Sequence, residues 1–114
     1  ACPGPRFGGQ VIDPTKCAEL ADPRRTMLGA AQERWLGQGL ARSRGRWTVI
    51  GQQMLFSSLV QPMRDGALGV WSEGWDGYPL ARKRITDRLL AAKTPNPVIL
   101  GGDIHSPGRS QAPR

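Results

Sequence analysis

Histidine, cysteine and long apolar stretches are scarce in this sequence. The 114 residues include a single histidine, His105, and two cysteines. A metal site in this chain therefore has few imidazole or thiolate ligands to use, and no zinc-finger signature is present. No apolar stretch approaches the roughly 20 residues of a transmembrane helix, and no signal-peptide pattern opens the chain. We accordingly expect no membrane span and no zinc-finger module.

Acidic residues are outnumbered by basic ones, and the net charge of +7 suits polyanionic partners such as nucleic acid, anionic lipid or phosphorylated substrates. The basic residues are dispersed, however, over separate segments near residues 24–25, 42–46 and 82–84. Tryptophan and arginine are not interleaved as in a base-stacking platform, and no RNP-type or helix-turn-helix signature occurs. We expect most of these charges to lie on solvated helix faces. A basic fragment that binds nucleic acid without catalytic activity is kept as the alternative.

Hydrophobic residues make up 39% of the chain, which permits the modest core of one small domain. The 15 glycines and 10 prolines predict much turn and loop. Apolar residues at helical spacing predict two helices, and short β-branched runs predict two strands buried on both faces. The predicted elements are a helix over 26–43, a strand over 46–51, a helix over 79–93 and a strand over 97–100, whereas 1–25 and 52–76 show no regular pattern.

The order strand, helix, strand favours an α/β fold with parallel strands. In such sheets, ligands gather beyond the carboxyl ends of the strands. Gln52 and Gln53 follow the first predicted strand, and Asp103 and His105 follow the second. We therefore expect these two groups of polar residues to meet at one edge of the sheet.

Cys2 and Cys17 lie close together in a segment with proline and glycine but without a cluster of histidine or carboxylate side chains. A disulfide that closes this short loop is the favoured interpretation, and it would contribute about 3 kcal/mol to stability. Such a bridge would imply an oxidising compartment. Two unpaired thiols are the alternative.

Asp103 and His105 form an Asp-x-His pattern after an apolar strand and two glycines. Glycine lets the backbone turn sharply, so a carboxylate and an imidazole could face neighbouring metal positions. Carboxylate oxygens suit calcium, magnesium, manganese or ferric iron, and imidazole extends the choice to zinc and iron. The pattern alone is weak, and an ordinary polar turn explains it equally well.

Four motifs give a more specific indication because they occur in a fixed order. They are Arg-Thr-Met-Leu-Gly at 25–29 with Gln32, Trp35 and Leu36; Trp-Thr-Val-Ile-Gly-Gln-Gln at 47–53; Trp-Asp-Gly-Tyr-Pro at 75–79 with Arg82 and Arg84; and Val-Ile-Leu-Gly-Gly-Asp-Ile-His-Ser at 98–106. Together they resemble recurring segments of the PhoD-like alkaline phosphatase and phosphodiesterase family.

This resemblance implies an α/β/β/α metallophosphoesterase sandwich that hydrolyses phosphate esters at a multinuclear metal site, with calcium and iron as the expected ions. It implies that Asp103 and His105 are metal ligands. It also places Gln53, Trp75, Asp76 and Tyr78 near the site in supporting or substrate-binding roles. Simple packing is an equally good interpretation of Trp75 and Tyr78, and a helix-start role of Asp76.

The resemblance covers the C-terminal portion of such a domain, which we assign to residues 1–106, and we expect the polar tail 107–114 to be disordered. The aspartate-rich motifs of the family belong to an N-terminal half that we expect to precede this chain. One aspartate and one histidine cannot hold several ions, so we expect the isolated chain to bind metal poorly and to be inactive alone. The longer protein is expected to be periplasmic or secreted.

Overall fold

A computed structural model describes residues 9–103. Cys2, His105 and the tail 107–114 lie outside the described residues. The elements within that range are β1 (Val11–Ile12), α1 (Ala30–Arg42), β2 (Thr48–Gly51), β3 (Gln61–Pro62), β4 (Leu68–Trp71), α2 (Pro79–Ala91) and β5 (Pro97–Leu100), with short 3-10 turns at Pro14–Lys16, Ala18–Ala21 and Trp75–Gly77.

Helices and strands of both orientations confirm the predicted α/β class. Strand β2 pairs with β5 in parallel, and Ile50 lies opposite Ile99. The connection between these two strands contains α2, as the strand–helix–strand order predicts. A second, antiparallel sheet has the order β1-β4-β3.

Helix α1 begins four residues later than predicted because the preceding turn is fixed by side chains. Gly29 is the N-cap with φ 81°, a left-handed conformation that glycine adopts without strain. The Thr26 hydroxyl accepts a hydrogen bond from the Gly29 backbone N–H and donates one to the Glu33 carboxylate. The first intrahelical hydrogen bond therefore runs from the Glu33 N–H to the Gly29 carbonyl.

Helix α2 follows the prediction closely. Pro79 occupies the first turn, where a backbone N–H would have no intrahelical acceptor, so proline costs no hydrogen bond there. Ala81, Ile85 and Leu89 are buried against the core, whereas Leu90 is 71% exposed. The helix ends before Lys93, whose φ of 49° departs from helical geometry.

The main core lies between the helices and the inner face of the parallel sheet. Its buried members are Leu40, Trp75, Ala81, Ile85 and Leu89, against which Ile50 and Ile99 pack. A second cluster joins the N-terminal segment to the antiparallel sheet, and it consists of Ile12, Cys17, Leu20 and Val70.

Two sequence expectations are wrong. Segments 1–25 and 52–76 contain three short strands and three 3-10 turns rather than only loop. The parallel strands are also not buried on both faces, since Val49 is 59% and Leu100 is 56% exposed. In the described residues, the helices cover only the sheet face that carries Ile50 and Ile99.

No helix within residues 9–103 combines the length and the apolar character that a membrane crossing requires.

Candidate functional site

The segments that follow β2 and β5 lie side by side. The Gln52 N–H donates to the Leu100 carbonyl at 3.0 Å, and the Gly102 N–H donates to the Gln53 carbonyl at 3.2 Å. The pairing of the two strands thus continues past their carboxyl ends. The structure brings Gln52 and Gln53 to the edge from which Asp103 projects, whereas His105 lies outside the described residues.

Gln52 connects this edge to the core through its carboxamide group. The side-chain oxygen accepts from the Met54 N–H and from the Trp75 indole N–H, each at 3.0 Å. The side-chain nitrogen donates to the Leu100 carbonyl at 3.4 Å and also to the Met54 carbonyl. The sequence placed Gln52 at this edge but gave the supporting role to Gln53, which contributes its backbone carbonyl. The signal for Gln52 was its place as the first polar side chain after the strand.

Gly101 allows the two segments to approach this closely. A Cβ atom at this position would overlap the Gln52 side-chain nitrogen and the Met54 carbonyl oxygen. The next residues complete the turn, and Asp103 adopts a φ of 45°. This left-handed conformation is uncommon for residues with a side chain, but aspartate tolerates it better than most.

A small pocket of about 40 Å³ contains two of the predicted site carboxylates. Asp103 is exposed at its rim, and the Asp76 side chain is only 9% exposed. Trp75 also lines it, as do Met54, Leu55, Ser57, Leu59, Gln61, Trp71 and Gly74. Of the predicted supporting residues, Gln53 and Tyr78 are absent from this lining.

Asp76 is engaged by a cation and by backbone. One carboxylate oxygen accepts from the Arg82 guanidinium at 2.7 Å, and the other accepts from the Leu59 N–H at 2.8 Å. Arg82 also donates to the Phe56 carbonyl at 3.3 Å. Asp76 is therefore more than a helix-start residue, because together with Arg82 it holds the loop that forms one wall of the pocket. The expectation that Arg82 lies on a solvated helix face is wrong.

Trp75 and Tyr78 occupy different surroundings. Trp75 is 3% exposed, and its ring meets Phe56 edge-on with centroids 5.1 Å apart. It is a core residue whose indole N–H reaches the site through Gln52. Tyr78 lies beneath the Arg25 guanidinium, 4.7 Å from the ring centroid. Packing accounts for both rings.

Arg84 is likewise used within the protein. Its guanidinium binds the buried Glu33 carboxylate of α1 and donates to the backbone carbonyls of Pro23 and Arg25. The hydrogen bond from Arg84 is the main cause that lowers the pKa of Glu33; burial opposes it, and the hydrogen bond from Thr26 adds a smaller lowering effect. Arg84 therefore joins α2 to α1 and the N-terminal segment through contacts within the protein.

The described residues offer few potential metal ligands. Within residues 9–103, no group of three or more histidine, cysteine, aspartate and glutamate side chains is placed to hold an ion. An oxygen ligand such as the Asp103 carboxylate suits hard cations. Asp76 is already paired with Arg82. The Asp103 carboxylate thus fits a single ligand position, and a metal ion at this edge would need further ligands from outside residues 9–103.

A parallel β-α-β unit with a carboxylate on a glycine turn beyond its second strand defines this protein as an α/β protein with a candidate site at the carboxyl edge of the sheet. The family model described as PhoD-like phosphatase matches residues 8–113, and the chain belongs to that family. The chain is 36% identical over 89 residues to alkaline phosphatase D of Bacillus subtilis (strain 168). This match covers 77% of the chain and 15% of the relative.

A solved structure described as the structure of PhoD is also similar to this chain. The TM-score is 0.70 at 32% sequence identity, and the match covers 86% of this chain and 18% of that one. The chain therefore spans less than a fifth of the length of either relative. The resemblance that the four sequence motifs indicated is confirmed.

Proposed function

We propose that this chain forms part of a phosphatase that hydrolyses phosphate esters at a multinuclear metal site, to which it contributes one portion. The observation that carries the proposal is the placement of Asp103. Its carboxylate follows the glycine turn at the carboxyl edge of the parallel sheet, beside the end of β2, in a chain that the PhoD-like family model matches over 8–113.

Asp103 would bind a metal ion in this site, with His105 as a second ligand from the same turn. Calcium and iron are the proposed ions, on the basis of the family resemblance. Bound metal ions would supply Lewis acidity toward the phosphoryl oxygens and an activated oxygen nucleophile. The contribution of this chain is to fix the ligand turn and to form a pocket wall from the loop that Asp76 and Arg82 hold.

The site requires further ligands from a longer polypeptide. One carboxylate and one imidazole cannot neutralise and hold several ions. The chain spans 15% of the length of alkaline phosphatase D, so the segments that would complete the site and the sandwich correspond to the remainder of such a protein. We accordingly propose that the isolated chain binds metal weakly and is inactive.

Substitution of the proposed ligands in the longer polypeptide tests this function. We expect Asp103→Ala and His105→Ala each to lower phosphatase activity more than about 100-fold, the upper end of losses seen for residues that only orient ligands. The measurement is hydrolysis of para-nitrophenyl phosphate together with metal content. Asp87→Ala is the matched control because Asp87 lies on the exposed face of α2, in a pair with Lys83. Wild-type turnover in either ligand variant contradicts the assignment.

We further propose that the protein works in the periplasm or outside the cell, where a Cys2–Cys17 bridge can form. Cys17 is 2% exposed, within the cluster that joins the N-terminal segment to the antiparallel sheet. Cys2 lies outside the described residues, so the bridge stays a prediction. We expect thiol titration of the unreduced, denatured protein to detect neither cysteine. Two reactive thiols in that titration exclude the bridge.

The nucleic-acid alternative is not favoured. Arg24, Arg82 and Arg84 are each paired with a carboxylate of the same chain, so much of the positive charge is used internally. A phosphate ester substrate remains the polyanionic partner that the proposed function requires.

A further inference from the structure

We propose that Gln52 is a positioning residue, whose carboxamide fixes the turn that carries Asp103 relative to the core. This inference rests on the proposed function, because it treats Asp103 as a ligand whose placement matters. Gln52 makes its contacts with the core and with the end of β5, and it would act on a metal ion only through the turn.

The hydrogen-bonding capacity of the Gln52 amide is fully used. A carboxamide oxygen can accept two hydrogen bonds and its nitrogen can donate two. Here the oxygen accepts from the Met54 and Trp75 N–H groups, and the nitrogen donates to the Leu100 and Met54 carbonyls. One side chain thus joins the end of β5, the loop after β2 and the buried indole.

Trp75 gives this connection a rigid anchor. The indole is 3% exposed and belongs to the main core with Ile85 and Leu89. Asp103 lies one residue beyond Gly102, whose N–H makes the final backbone hydrogen bond between the two segments. The position of the carboxylate therefore depends on how firmly the segment 100–102 is held, and Gln52 supplies the link from that segment to the core.

No other common side chain reproduces this set of contacts. An apolar residue of similar size would leave the Trp75 and Met54 N–H groups without their acceptor. A glutamate would place a negative oxygen against the Leu100 and Met54 carbonyls, where the amide now donates. The close approach of the two segments also requires glycine at position 101, since any side chain there would overlap the Gln52 amide nitrogen.

The functional consequence is a loss of metal affinity without removal of a ligand. Residues that orient metal ligands affect metal affinity or activity by about 10- to 100-fold when they are replaced. We expect that range for Gln52→Leu and Gln52→Glu in the longer polypeptide. The turnover number should fall more than the Michaelis constant rises, because the substrate keeps its binding groups while the ligand turn is misplaced.

The test uses the metal-stripped longer polypeptide titrated with calcium ions in a calorimeter, followed by kinetics on para-nitrophenyl phosphate. Thermal unfolding of the metal-free protein is recorded in parallel. Gln38→Leu is the control, because the same substitution falls on an exposed position of α1. The inference predicts weakened calcium binding in folded Gln52 variants and wild-type affinity in the control.

Two results overturn the inference. Calcium affinity and turnover within twofold of wild type in folded Gln52→Leu would assign the residue to stability alone. If Gln52→Leu does not fold, Gln52→Glu supplies the same comparison because it keeps the chain length and an acceptor oxygen. A wild-type protein that neither binds metal nor hydrolyses phosphate esters overturns the proposed function together with the inference. An active wild type with unaffected Gln52 variants overturns only the inference.

Discussion

Gly77 ends the short helical turn Trp75–Gly77, and three side chains of residues 75–78 leave this region in different directions. Trp75 enters the core, Asp76 reaches Arg82, and Tyr78 lies beneath Arg25. Gly77 is buried, and a Cβ there would overlap the Ser72 carbonyl oxygen. Glycine at this position is therefore required by close packing of backbone against backbone.

We expect Gly77→Ala to lower the free energy of unfolding by about 1–3 kcal/mol, the usual range for overpacking, because the Ser72 backbone cannot rotate aside as a side chain can. Gly74→Ala is the control, since its Cβ would lie 3.6 Å from the nearest Trp71 atom, an ordinary contact. Urea unfolding of the longer polypeptide provides the measurement. Equal urea unfolding midpoints for the two variants would show that close packing against the Ser72 backbone does not require glycine at position 77.

Single residues of the site were only partly predictable. The place of Asp103 followed from the parallel order of the strands, which brings their carboxyl ends to one edge. The choice between Gln52 and Gln53 did not, because neighbouring side chains after a strand point in different directions and the backbone decides which one faces the core. The partners of Asp76 were hidden for a similar reason, since Leu59 is 17 residues away in sequence.

At the scale of elements, the helices were easier to predict than the strands of the antiparallel sheet. The two 13-residue helices display enough apolar spacing to be found from sequence. Strands β1 and β3 have two residues each and carry no periodicity. They exist because distant residues pair with them, as Val11 does with Trp71. Long-range pairing of this kind leaves no local signal.

The ion pair between Glu33 and Arg84 connects the two helices and should make stability depend on pH. The pKa of Glu33 is lowered below its ordinary value of 4.5, chiefly by the hydrogen bond from Arg84. Its contribution is therefore complete above about pH 5 and is lost as the pH falls through the folded-state pKa. We expect Glu33→Gln to cost roughly 1–3 kcal/mol at pH 7 and to flatten the loss of stability below pH 5.

Asp87→Asn provides the control for this prediction. Asp87 pairs with Lys83 on the exposed face of α2, the helix that carries Arg84, and such a pair contributes only about 0.3–0.5 kcal/mol to stability. Urea unfolding of the longer polypeptide between pH 3 and 7 measures both variants. If the free energy of unfolding of Glu33→Gln falls as steeply with decreasing pH as that of the wild type, Glu33 does not cause the loss of stability in acid.

At the scale of the whole molecule, residues 9–103 form a large apolar groove and leave one face of the parallel sheet uncovered. The groove has a volume of about 840 Å³ and is lined by Leu36, Leu40, Ile50 and Phe56, with Trp35 at its border. Trp35 is 69% exposed, and Val49 and Leu100 project from the outer face of the parallel sheet. Parallel sheets are almost always covered on both faces. The matched relatives are several times longer than this chain, so in proteins of that length further polypeptide is available to cover such surfaces.

We expect one substitution on the outer sheet face to affect the isolated chain and the longer polypeptide differently. Val49→Lys should change the stability of the isolated chain by less than about 0.5 kcal/mol, because the side chain is exposed there. In the longer polypeptide the same change would bury an unpaired charge, and we expect a loss of about 3 kcal/mol or more. Gln38→Lys, on the exposed side of α1, is the control in both proteins.

Urea unfolding of the two proteins, with binding of a fluorescent apolar dye as a second measurement, distinguishes the outcomes. The isolated chain should bind the dye through its groove, and the longer polypeptide should not. If the isolated chain does not unfold cooperatively, the dye comparison and the effect of Val49→Lys in the longer polypeptide still decide the question. If Val49→Lys destabilises the longer polypeptide no more than Gln38→Lys does, the outer sheet face meets solvent and the rest of the domain packs elsewhere. A large loss confined to Val49→Lys places the second layer of the domain against β2 and β5, directly beside the turn that carries Asp103.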